Sequence, residues 1–145
     1  HCSSAASDVY KRQDVIFDEY HFSLTKGFPE KVDVPMVRVQ TQSVLQDTLG
    51  IDEIGKKWSI RKSLQKIADE GTGVFVLINH RDAKTYWLSN LKDENIEPKR
   101  NRRVIGIGSQ ILRAIGLNKI KVLGTPTKYS GLSGFNIEIE GFIDE

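Results

Sequence analysis

Cysteine is almost missing from this chain: among 145 residues there is one, Cys2. An internal disulfide is therefore impossible, as is any metal centre built on two or more thiolates. Histidine is scarce too. With His1 at the extreme N-terminus, only His21 and His80 remain, far apart and without an acid at ligand spacing, which is poor footing for zinc. Long apolar runs are also lacking. The longest uncharged one, Gly73 to Asn79, is far too short to cross a bilayer. No apolar stretch precedes Val15, so no signal peptide is read and a cytoplasmic location is expected. Nor is there a strong charge of either sign. The 21 Lys and Arg residues face 19 Asp and Glu, a net charge of +2, which gives no reason to expect wholesale nucleic-acid or membrane binding. What is present, 39% apolar and 28% charged residues, describes one ordinary globular domain.

Residues 1–13 are small, polar and without period, so they are expected to stand outside the fold, with a single domain over residues 14–145. Val15, Phe17, Tyr20, Phe22 and Leu24 alternate weakly up to Gly27 and Pro29, as in a strand followed by a turn. Pro35 to Gln40, with β-branched Val34, Val37 and Val39, reads as a second strand, and the short charged connection predicts that the two pair antiparallel. Beyond Gln40 the period lengthens. Val44, Leu45, Thr48 and Leu49 suit a short helix ending at Gly50. Trp58, Ile60, Leu64, Ile67 and Ala68 suit another, capped by Ser59 and stopped by Gly71 and Gly73. The apolar run from Gly73 is the pattern of a strand buried on both faces.

A helix is expected over Thr85 to Asn95, then a polar stretch from Glu97 to Arg103. Ile107, Ile111, Leu112 and Ile115 mark an amphipathic helix closed by Gly116. Ile120 to Leu123 is a short strand, Gly124 to Pro126 a turn, and Phe135 to Ile143 a last alternating strand. The repeated order of helix, glycine and strand predicts an α/β fold, a mixed β-sheet with packed helices.

Lys99, Arg100, Arg102, Arg103, Arg113, Lys119, Lys121 and Lys128 occur with no acid among them, whereas residues 129–145 carry acids and no base. A basic stretch beside a glycine-rich helix start suits a phosphate, because helix N-terminal amides and cations reinforce each other. A solvated surface with an acidic tail is the plainer alternative. Gly106-Ile-Gly108 lacks the third glycine of a dinucleotide loop and follows arginines rather than a buried strand, so close helix packing competes with phosphate cradling. No serine sits in a Gly-x-Ser-x-Gly elbow, and Ser43 and Ser109 are cap-like by position. Asp47, Asp52, Glu53 and Asp82 have no special context and read as solvated charges. Aromatics are not interleaved with Lys99 to Arg103, as base stacking would require, so no nucleic-acid partner is expected.

Five segments in order resemble GTP cyclohydrolase II: PMVRVQTQSVLQD from Pro35 to Asp47, IADEGTGV from Ile67 to Val74, GIGSQILR from Gly106 to Arg113, Gly116-Leu117, and YSGLSGF from Tyr129 to Phe135. The resemblance covers nearly all of residues 30–141. It lies nearest the diverged form fused behind 3,4-dihydroxy-2-butanone 4-phosphate synthase in bifunctional riboflavin-biosynthesis proteins. It implies a GTP cyclohydrolase II-like fold and a place as the C-terminal part of a larger protein. It also implies a fused or associated synthase domain, a homodimer, and GTP or another phosphorylated small molecule as ligand.

In the active family, three cysteines hold a zinc ion that activates water to attack the guanine C8. Those positions fall on Ser43, Ile54 and Lys56. A hydroxyl, an alkyl group and an ammonium cannot replace three thiolates, so no metal and no cofactor is expected in this domain. The histidine that usually follows Val-Arg-Val is Gln40, and the nucleotide-contacting turn is shortened to Gly124-Thr125-Pro126. The family's Arg-Asp-Tyr-Gly-Ile-Gly segment reads Arg103 to Gly108. This keeps Arg103 as the candidate catalytic residue at the α-phosphate (Arg102 if the alignment slips by one) and replaces the acid and the aromatic with Val104 and Ile105. The resulting phosphate-binding candidates are Arg38, Arg103, Gly106 and Lys128. A degenerate domain supporting the synthase is the reading that follows. The competing one is an active cyclohydrolase that releases formate and pyrophosphate and recruits its metal through His80 and Asp82.

Overall fold

The computed structural model describes residues 7–14, 19–42, 58–79, 97–124 and 136–144, with side chains from all of these except 7–14 and 97–103. The helices expected from Val44 and from Thr85, the turn at Thr125 and Pro126, and Phe135 lie outside the described residues. In chain order the elements are β1 (Ser7–Asp14), β2 (Glu19–Lys26), β3 (Met36–Thr41), α1 (Ile60–Glu70), β4 (Gly73–Ile78), α2 (Glu97–Ile115), β5 (Lys119–Leu123) and β6 (Glu138–Ile143). A 3-10 turn at Pro29–Lys31 precedes β3.

The strands form one six-stranded sheet in the order β1-β2-β4-β3-β5-β6. β4, β3, β5 and β6 run parallel, and β2 joins β4 antiparallel. The chain steps from β3 outward to β4 through α1, then back across β3 to β5 through α2. Crossovers of one hand that step in opposite directions lie on opposite faces of a sheet. Two apolar clusters match this geometry. Val37, Val74, Val76, Ile78, Ile120 and Val122 pack with Ile111 and Leu112 of α2. Met36, Phe75 and Leu123 pack with Trp58 and Ile67 on the α1 side. β4 thus contributes alternate residues to both cores, which is why its sequence is continuously apolar.

α1 begins and ends as its sequence requires. The Ser59 Oγ accepts from the Lys62 N–H at 3.2 Å, and Gly71, at φ 82°, ends the helix with its N–H on the Ile67 carbonyl. α2 closes with a Schellman motif at Gly116, where Leu117 N–H reaches the Leu112 carbonyl and Gly116 N–H that of Arg113.

Three expectations are corrected. Residues 7–13 do not stand outside the fold. β1 pairs with β2 over eight positions, from Ser7 opposite Lys26 to Asp14 opposite Glu19, and a backbone ladder of this kind needs no apolar period. β2 and β3 are not an antiparallel pair, because the crossover inserts β4 between them. The polar stretch Glu97 to Arg103 is helical and forms the first turns of α2, with Pro98 near the start, where a missing N–H costs nothing.

Candidate functional site

In open sheets with parallel strands, ligands gather beyond the carboxyl ends where adjacent strands send their connections in opposite directions. Here that point lies between β3, whose chain departs toward β4, and β5, whose chain departs toward β6. The backbone also parts there. The β3–β5 ladder stops at Val37 opposite Val122, whereas β3–β4 continues to Thr41 opposite Ile78 and β5–β6 to Leu123 opposite Ile143. By that rule the space beyond Val37 and Val122 is the candidate crevice.

Arg38 and Gln40 line this crevice from β3. Val37 and Val39 turn toward α2, so strand alternation puts Arg38 and Gln40 on the α1 side. The Arg38 guanidinium donates from Nη1 to the Leu123 carbonyl at 2.8 Å and from Nη2 to the Trp58 carbonyl at 3.3 Å. Nε and Nη2 each lie 3.3 Å from Gln40 Oε1. Gln40 is buried, as is Trp58, whose indole Nε1 has no acceptor among the described residues. Gly124 completes the wall. A Cβ there would stand 3.1 Å from Arg38 Nη1.

The other predicted residues are placed differently. Gly106 is not at a helix start: it lies in the middle of the 19-residue α2. Amides at that depth are engaged in the helix ladder and cannot serve as phosphate donors. Its neighbour Gly108 faces β3, and a Cβ there would meet Val39 Cγ1 at 3.0 Å, so this glycine lets helix and strand approach. Arg103 lies in the first half of α2, away from the helix start. Lys128, Ser43, Ile54, Lys56, His80 and Asp82 lie outside the described residues. Of the basic stretch, Arg113 donates to Asn118 Oδ1 and Lys119 pairs with Glu140 at 3.6 Å, both at the surface. An exposed pair of this kind contributes little to stability.

His21 is buried on β2 and accepts the Asn79 N–H through Nδ1 at 3.1 Å, joining β2 to the end of β4. Trp58 and Leu123 were not singled out as site residues by the sequence, and Gly124 entered only as part of the shortened nucleotide-contacting turn. The available signal was the charge of Arg38 between two apolar valines on a central strand, since a half-buried guanidinium must find acceptors.

The family model for GTP cyclohydrolase II matches residues 6–144. The chain is 29% identical over 139 aligned positions to a 3,4-dihydroxy-2-butanone 4-phosphate synthase of Pseudomonas syringae pv. tomato, covering 90% of this chain and 38% of that protein. It is 29% identical over 147 aligned positions to the riboflavin biosynthesis protein RibBA of Cytophaga hutchinsonii, covering 91% and 36%. It is 30% identical over 132 to the monofunctional riboflavin biosynthesis protein RIBA 2, chloroplastic, of Arabidopsis thaliana, covering 83% and 27%. The chain therefore spans less than two fifths of the length of these relatives. With a match running from one end of the sheet to the other, the chain belongs to the GTP cyclohydrolase II family.

Proposed function

We propose that this chain is a GTP cyclohydrolase II-like domain of a riboflavin-biosynthesis protein. In this reading it has lost cyclohydrolase chemistry and supports, structurally or by regulation, a fused 3,4-dihydroxy-2-butanone 4-phosphate synthase. The setting is supported by relatives whose names carry the synthase or riboflavin biosynthesis and which are more than twice as long as this chain. The same reading has the protein in the cytoplasm as a homodimer, with GTP or another phosphorylated small molecule as its ligand.

The observation that carries the loss of activity is the donor set. Zinc held by thiolates supplies a low-pKa water and a Lewis acid, together worth several kcal/mol at the transition state. The positions that match the family's cysteines offer the Ser43 hydroxyl, the Ile54 alkyl group and the Lys56 ammonium. None is a thiolate, and the ammonium repels a divalent ion, so these residues do not fit the metal. Arg38 does not replace it, because its guanidinium is a permanent cation already engaged by protein acceptors.

The test is direct. Purified protein incubated with GTP and added zinc should release no formate, and its metal content should stay far below one ion per chain. Zinc-dependent formate release would refute this reading and restore an active cyclohydrolase.

A further inference from the structure

The β3–β5 ladder ends one pair short of the residues that face the crevice. The next backbone rung would join Arg38 to Leu123. In its place, the Arg38 side chain reaches the Leu123 carbonyl at 2.8 Å. The same guanidinium holds the Trp58 carbonyl, immediately before the Ser59 cap of α1, and is itself oriented by Gln40 Oε1. Three segments far apart in sequence therefore meet on one planar fork: the end of β5, the approach to α1, and β3.

From this we infer that Arg38 is a positioning residue, a strap that sets the width of the split between β3 and β5 and couples the end of β5 to the start of α1. It is thus not a cation reserved for ligand phosphate. Two further features fit. Gly124, next in the chain after the strapped carbonyl, leaves room for Nη1 that a side chain would take. Its own N–H continues the sheet by donating to the Ile143 carbonyl at 3.0 Å, so displacement of the β5 end is transmitted to β6. Trp58 is gripped from both sides, by its carbonyl on Arg38 and by its ring in the cluster with Met36, Phe75 and Leu123. Lysine can supply the charge but not the fork, because one ammonium cannot hold three acceptors in a fixed plane.

The inference rests on the crevice being the ligand face, and its test separates the two ideas. Amide hydrogen exchange is measured on the full chain as wild type, Arg38→Lys and Arg38→Met, reading Gly124, the first turn of α1 and Val74 to Val76. The strap predicts that both arginine variants accelerate exchange at Gly124 and at α1 together, by about tenfold or more (equivalent to about 1.4 kcal/mol), with Val74 to Val76 unchanged. Gln40→Leu, which keeps the arginine but removes its orienting acceptor, should give a smaller acceleration at the same two places. It also serves if an arginine variant fails to fold. Calorimetric titration with GTP supplies the second arm. A strap predicts equal losses of affinity in Arg38→Lys and Arg38→Met. A phosphate cation predicts a small loss with lysine, a large one with methionine, and unchanged exchange. Unchanged exchange, or acceleration at only one of the two places, would overturn the strap. If no variant and no wild type binds GTP, the ligand reading fails while the exchange result still decides the strap.

Discussion

The role of Gly108 separates the two meanings its motif can have, phosphate loop or packing contact, and one substitution decides it. Alanine at this position removes the entropic cost of glycine in a helix interior, a gain of roughly 1 kcal/mol. Against this, the new Cβ would stand 3.0 Å from Val39 Cγ1 and 3.5 Å from Cγ2. Neither side can yield easily. Val39 is β-branched and stiff at χ1, on a central strand, and Gly108 is fixed in the α2 backbone by flanking helix bonds. Overpacking of this kind costs about 1–3 kcal/mol, so the clash outweighs the propensity and Gly108→Ala should lose about 1 kcal/mol overall.

A double-mutant cycle isolates the contact. With Val39→Ala in place the obstructing methyls are gone, and Gly108→Ala should become stabilising by about 0.5–1 kcal/mol, a coupling of about 1.5–2 kcal/mol. Urea denaturation followed by far-UV circular dichroism measures all four proteins, and an unchanged m-value keeps the comparison valid. If Gly108→Ala stabilises the parent by about the full helix-propensity increment, the helix does not press on β3 at this glycine and the packing account is wrong.

Three other substitutions probe different terms. Gly71→Ala meets no atom within 4 Å, so its cost is the left-handed backbone at φ 82° alone, about 1–2 kcal/mol in chemical denaturation; no loss would mean that α1 ends differently. Ile78→Ala empties a fully buried position in the α2-side core and should cost about 2–5 kcal/mol, whereas a loss below 1 kcal/mol would show that the site collapses or is hydrated. His21→Phe leaves the Asn79 N–H without its acceptor and puts a larger ring at a buried position, with an expected cost of about 1–3 kcal/mol, checked by urea titration together with faster exchange of that amide.

The parts of the fold legible in the sequence are those whose causes are local. Ser59, Gly71 and Gly116 announce helix ends because a hydroxyl cap and a left-handed glycine act within one turn. The uninterrupted run of β4 announces burial on both faces. β2 was legible as a strand but not in its orientation. Tyr20 and Phe22, its apolar alternates, are the partly exposed ones, at 37% and 36%, while Glu19, His21, Ser23 and Thr25 are buried. The cause is register. Ser23 lies opposite Val76 and Thr25 opposite Val74 on the α2 side, so pairing with β4 turns the polar alternates inward. The first turns of α2 were illegible for a related reason: the apolar stripe that marks an amphipathic helix begins only at Val104.

At the candidate site the division is sharper. Composition alone excludes a three-thiolate metal centre, because a single cysteine cannot make one wherever the chain places it. The motifs pointed to the family, and Val-Arg-Val placed a charge on a buried strand. What Arg38 does with that charge was decided by tertiary structure. Its acceptors lie 85 and 20 positions away, on segments adjacent to it only because two crossovers step in opposite directions and leave β5 beside β3. Local sequence sets the alternation that points the guanidinium out of β3. Only the order of the strands determines which carbonyls it meets.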